Sequence, residues 1–317
     1  KNVQREVERQ VLQTAPEDEE IKEATAEQAS QQVQEIYEQQ GVAGAFDIIE
    51  QFKQGKMSIA MGMENGSPIE GDIKNRKHFY ERGVRYITLA HSPSNHISAS
   101  SYAIRRKWKG LSPFGKELVK EMNYIGMLVD VSHISDDAFY QVMEISKVPV
   151  IASHSSLRKY TPGFERNMDD DMLLALKKNG GVIQINFGSS FVTAKAGSWY
   201  DQLKSAKAEK KKDGTKLSKD FDAAYRAKNP FPYASLEQVL DHIDHVVELI
   251  GIDYVGIGSD YDGVGDSLPT GLKDVSSYPN LVQGLMDRGY SNKDIKKILS
   301  GNMLRVWQQA EAYAKTH

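Results

Sequence analysis

Short apolar runs alternate with amphipathic helical segments along most of this 317-residue chain, and no other feature constrains its fold as tightly. The runs fall at residues 57–63, 84–90, 127–131, 148–152, 181–186 and 254–259. Strand followed by helix, repeated in this way, predicts a parallel sheet with right-handed crossovers. The intervening helices carry suitable ends. Ser135 is placed to cap a helix with Ala138, Phe139, Val142 and Met143 on one face, and Asp136 and Asp137 in its first turn suit the helix dipole. Asn167 or Asp169 can cap a helix bearing Met172, Leu173 and Leu176, which Asn179-Gly180-Gly181 ends. Residues 236–250 place Leu236, Val239, Leu240, Ile243, Val246, Val247 and Ile250 on one stripe, closed by Gly251. Such helices suit the outer ring of a barrel.

Two segments depart from the alternation. Residues 1–40 are dense in Glu, Gln and Lys and read as a polar helical arm or partly ordered segment. Residues 193–232 form a lysine-rich insertion, with Lys204, Lys207, Lys210, Lys211, Lys212, Lys216 and Lys219 and few large apolar residues. The insertion reads either as a solvated helical excursion or as a lid over a site. With no internal repeat and no low-complexity linker, residues 41–317 are expected to form a single domain.

A net charge of -3 and a pI near 6.3 argue against nucleic acid or an anionic membrane surface as main partner. No apolar run is long enough to span a bilayer. The chain has no cysteine, so any metal must be held by His, Asp, Glu and water. It opens at Lys1 without a signal-like apolar stretch, which suggests that an upstream segment was processed or left out. An extracytoplasmic address is slightly favoured over a cytoplasmic one.

Two of the strand-like runs end in Ser-His, at Ser132-His133 and Ser153-His154, with about one helix between them. The two imidazoles should therefore stand at equivalent ends of neighbouring strands, where barrels of this kind keep their chemistry. A shared metal is the expected use, since zinc takes imidazole at about 2.0–2.1 Å and needs rigidly held ligands. Glu64 ends another run and is either a metal ligand or a solvent-facing loop residue. His91 ends a fourth and could ligate metal, polarise a substrate oxygen or hydrogen-bond a loop. Asp260, before Tyr261-Asp262-Gly263, is either a proton acceptor near a metal site or a structural acceptor for loop amides; Asp262 suits the turn at Gly263. Arg166 is either a surface charge or a grip for a substrate carboxylate.

These residues resemble the zinc-dependent membrane (renal) dipeptidases and their bacterial relatives. The resemblance rests on Met63-Glu64-Asn65-Gly66, Tyr86-Ile87-Thr88-Leu89-Ala90-His91, Gly110-Leu111-Ser112-Pro113-Phe114-Gly115, the two Ser-His segments, Arg166-Asn167-Met168-Asp169-Asp170, Gly258-Ser259-Asp260-Tyr261-Asp262-Gly263 and Gly301-Asn302-Met303-Leu304-Arg305-Val306, in family order. It implies a (β/α)8 TIM-type barrel that hydrolyses dipeptides, including those with a D-residue at the carboxyl side, through a metal-bridged hydroxide and two zinc ions. It also implies roles: Glu64 as bridging carboxylate, His133 and His154 as ligands of the second metal, His91 as substrate contact, Arg166 as holder of the substrate carboxylate and Asp260 as proton shuttle. A homodimer is a further implication.

The family's His-x-Asp motif at the end of the first barrel strand has no counterpart here, since the first histidine is His78. Six strands are visible where a closed barrel has eight. The first two strands are thus expected to be missing from the sequence, because an open barrel would expose long apolar edges. If instead the first metal site is truly absent, one ion or none is expected. An amidohydrolase acting on another small amide or lactone, and a non-catalytic barrel, are the competing readings.

Overall fold

The six apolar runs become six strands: β1 (Met61–Glu64), β2 (Val84–Thr88), β3 (Leu128–Asp130), β4 (Ile151–Ser155), β5 (Val182–Ile185) and β6 (Val255–Ile257). The structure, a computed structural model, describes residues 44–212 and 217–317; the expected arm over 1–40 and Lys216 lie outside the described residues. All pairings are parallel and follow chain order from β1 to β6, the α/β arrangement of a (β/α)8 barrel wall. Among the described residues β1 and β6 remain the two edges of the sheet.

Register decides which side chains meet. Glu64 pairs with Thr88, and Thr88 with Asp130. Side chains alternate between faces, so these three project to one face in a row at the carboxyl end of the strands. One position earlier, Met63, Ile87 and Val129 project to the other face and enter the main apolar core. A second core gathers Leu128, Ile151 and Val182 against Val306, Trp307 and Ala310 of the helix Asn302–Thr316, with Ala45 of the helix Ala45–Lys53. On β1 only glycine fits at position 62, because a Cβ there would stand 1.9 Å from the Tyr86 ring.

Two strands differ from expectation. β1 begins at Met61, since Met57 and Ile59 face solvent and pair with no strand among the described residues. β4 runs on to Ser155 because its register with β5 shifts between Ala152 and Ser155, so His154 lies within the strand rather than beyond it. The helix ends follow their capping chemistry. Ser135 accepts from Ala138 N and Asp169 from Met172 N, while Asn167 binds Ser156 N, Thr161 and the Phe191 carbonyl instead. Gly180 ends its helix at φ 84°. The basic insertion is helical over Ala194–Lys212 and Phe221–Lys228, and Trp199 and Leu203 pack it onto Phe231. No helix among the described residues is long and apolar enough to cross a membrane.

His242 joins the helix Leu236–Ile250 to the loops above the sheet: its Nδ1 accepts from Leu157 N at 3.1 Å and its Nε2 donates to the Val192 carbonyl at 3.0 Å. Burial pulls its pKa down from 6.5 to about 4. A protonated ring could no longer accept from Leu157, so the folded state binds this proton less readily than the unfolded chain. The resulting stability is present above pH 6.5 and is lost as pH falls towards 4, amounting to about 2 kcal/mol between pH 7 and pH 5. Denaturant melts at those two pH values should show the loss, and His242→Gln should make it shallower.

Candidate metal centre

Four side chains from four strand ends converge on one point. Glu64 Oε1 lies 3.0 Å from Nε2 of His133, 3.0 Å from Nε2 of His154 and 3.6 Å from Nε2 of His91. The two Nε2 atoms of His133 and His154 are 2.8 Å apart, and the His91 and His133 ring centroids 4.3 Å. Glu64, His91 and His133 can each turn one ligand atom to a common ion, within 4.8 Å of one another. The structure thus brings together the three expected metal ligands, Glu64, His133 and His154, and places His91, expected as a substrate contact, among the donors within metal reach.

Backbone and charge prepare these groups. Asn65, His133 and Asp260 all adopt left-handed backbone, at φ 83°, 69° and 56°, a costly conformation for non-glycine residues that concentrates where function constrains the chain. The His133 carbonyl is pinned by Ser101 N at 2.8 Å. Burial first, and then the Arg166 charge, pull His133 down to about 3, so its ring is neutral and carries a lone pair. The neighbouring rings of His133 and His154 hold the Glu64 carboxyl far below the usual carboxylate range.

Asp260 stands at the rim of the same cavity. Its carboxylate accepts from Asn186 Nδ2 at 2.9 Å, and Asn186 Oδ1 accepts from Gly188 N at 2.7 Å, which fixes the amide's orientation. Burial raises the Asp260 pKa above the ordinary aspartate value. Arg166 is buried behind His154, donating to the His154 carbonyl and to Ser155 Oγ at 2.7 Å each. Its Nε has no partner, and it makes no ion pair among the described residues. The cavity encloses about 260 Å³ between Glu64, His91, His133, His154, Asp260 and a wall of Tyr102, Phe191, Tyr200 and Val264.

The profile of the membrane dipeptidase family, peptidase family M19, matches residues 11–317. The chain belongs to that family. Among its relatives, an uncharacterized dipeptidase of Schizosaccharomyces pombe is 35% identical over 274 residues, covering 85% of this chain and 57% of the relative. Dipeptidase 3 of Mus musculus is 33% identical over 260 residues, with coverages of 81% and 45%. The chain thus spans about half the length of these curated relatives. Among solved structures, the probable dipeptidase PvdM of Pseudomonas aeruginosa superposes with a TM-score of 0.77 at 28% identity, over 92% of this chain and 81% of that one. A metallopeptidase of Rhodobacter sphaeroides, liganded with a phosphinate mimic of L-Ala-D-Ala, gives 0.69 at 25% identity, over 85% and 68%.

The donor set of this family member fits a borderline divalent ion. Three imidazole nitrogens and one carboxylate face one another at distances that only a cation or shared protons make favourable. The sequence reading passed over Asp130, Ser153 and Asn186, which touch these groups from behind, and Tyr200, which the basic insertion places in the cavity wall. Asn186 had one signal, its place at the end of a strand-like run. Glu64→Gln should weaken divalent-ion binding by about tenfold or more, measured by competition with a chelating indicator.

Proposed function

We infer that this chain is a zinc-dependent hydrolase that cleaves the peptide bond of dipeptides. One observation carries the substrate class: the buried Arg166 guanidinium, without a carboxylate partner among the described residues, bonds the His154 carbonyl directly behind the small cavity that the metal donors line. A buried charge left unpaired is costly. The free carboxylate of a short peptide would relieve it, whereas a neutral amide or lactone would not. The cavity's size, at the low end for small-molecule sites, favours a dipeptide over a longer chain.

Glu64, His133 and His154 would hold the metal, with His91 beside them. Glu64, which lies nearest all three imidazoles through one oxygen, would also help to hold a second ion. When bound, zinc supplies Lewis-acid polarisation and lowers the pKa of water. The protein's own groups do the rest. Arg166 draws the substrate carboxylate inward and so sets the position of the scissile bond. Asp260 takes the proton of the attacking water and returns it to the departing amine, a task helped by its raised pKa. His91, open to the cavity, stabilises the developing oxyanion. Tyr102 and Phe191 exclude bulk water.

Zinc-loaded full-length protein should hydrolyse L-Ala-D-Ala and L-Ala-L-Ala and lose that activity on chelation; no cleavage across a dipeptide panel would refute the assignment. Arg166→Met should raise KM for a dipeptide by about tenfold or more, and leave a carboxyl-amidated dipeptide unaffected. Activity should fall as pH drops through the raised pKa of Asp260. The hydrogen bond from Asn186 lowers that pKa, so Asn186→Leu should move the acid limb of the kcat/KM profile to higher pH.

A further inference from the structure

Behind the metal donors lies a carboxylate to which the reaction assigns nothing. Asp130 ends β3 fully buried, with no cation bonded to it among the described residues. Its Oδ1 accepts from Ser132 N at 3.0 Å and Ser153 N at 2.9 Å. Its Oδ2 accepts from Thr88 Oγ1 and from Ser153 Oγ, the latter at 2.6 Å. Ser153 Oγ is also 2.7 Å from Nδ1 of His154.

A serine hydroxyl has one hydrogen to give. Against an ionised carboxylate that hydrogen goes to Asp130, the stronger acceptor. The oxygen of Ser153 can then only accept from His154, so the ring carries its hydrogen on Nδ1. Nε2 becomes the nitrogen available to the metal cluster, where it already lies 3.0 Å from Glu64. We propose that Asp130, acting through Ser153, fixes the Nδ1–H tautomer and the ring orientation of His154 and so prepares it as a metal ligand. Both are positioning residues. Metal-ligating histidines commonly give their second N–H to a carboxylate directly, and such partners set ligand orientation and basicity; here a serine hydroxyl is interposed. His133 has no equivalent, since its buried Nδ1 lacks a partner. The two Ser-His strand ends are therefore alike in sequence and unlike in support.

The proposal rests on the metal-centre reading but not on the substrate. Long-range 1H–15N NMR of histidine-labelled full-length protein, with the signal assigned by its loss in His154→Gln, should find His154 in the Nδ1–H form without metal. Finding the Nε2–H form there would overturn the proposal, whatever the protein hydrolyses. Ser153→Ala should lower zinc affinity by about tenfold, with Ser153→Thr restoring it. Asp130→Asn reverses the relay: its amide donates to Ser153, whose hydrogen then turns to Nδ1 and drives His154 to the Nε2–H form. The affinity loss should then reach about a hundredfold, with the tautomer change visible in the same spectra. Zinc affinity within twofold of wild type for Ser153→Ala would also overturn the proposal. A wild type that binds zinc and shows this tautomer but cleaves no dipeptide would refute the dipeptidase assignment and leave the relay standing.

Discussion

The parallel register that sets Glu64, Thr88 and Asp130 side by side is the constraint on which the rest of the site depends. Because side chains alternate across a sheet, slipping any one strand by a residue would send its polar group to the apolar face and bring Met63, Ile87 or Val129 to the cavity. Either exchange would bury a carboxylate or a hydroxyl among aliphatic side chains. The apolar core on one face thus enforces the order of the polar groups on the other, and packing energy holds the chemistry in register. Gly62 and Tyr86 apply the same logic one layer below: the ring occupies the space that the missing side chain leaves.

Above this layer, the strand ends do what regular backbone cannot. His133 and Asp260 reach the cavity from left-handed conformations, and the shift of register in β4 turns His154 inward while Ser155 resumes pairing with β5. Each irregularity is held in place locally, by Ser101 on the His133 carbonyl, by Asn186 on the Asp260 carboxylate and by Ser153 on the His154 ring. The lysine-rich insertion contributes Tyr200 to the same cavity while packing Trp199 and Leu203 onto Phe231. It is therefore both a solvated helix, on its lysine face, and a wall of the site.

The apolar runs made the strand order legible, and the repeated Ser-His ends made the pairing of the two imidazoles legible, because both are local patterns that recur along the chain. What the residues alone left open was partnership across strands. Asp130 sits inside an apolar run and reads as one more strand residue until register sets it against Thr88 and Ser153. A carboxylate within a buried strand is itself a signal, since it needs several donors to be tolerated. The β4 irregularity left no trace in composition, so the strand was expected to end at residue 152. Tyr200 was hidden by the lysines around it, on a helix whose apolar residues form no clear stripe. Arg166 could be read as a surface charge; only the fold makes it buried.

Charge balance ties these parts together. Glu64, Asp130 and Asp260 bring three carboxylates to one region, and Arg166 is the guanidinium that the same field acts on. With all four ionised, the region holds two negative charges in excess, in surroundings where burial alone raises Asp260 and lowers His133. One divalent ion among neutral imidazoles cancels that excess. It also accounts for lone pairs facing one another 2.8 to 3.0 Å apart, an arrangement that is repulsive without a cation or a proton. A second ion would leave the region positive unless it came with further negative ligands.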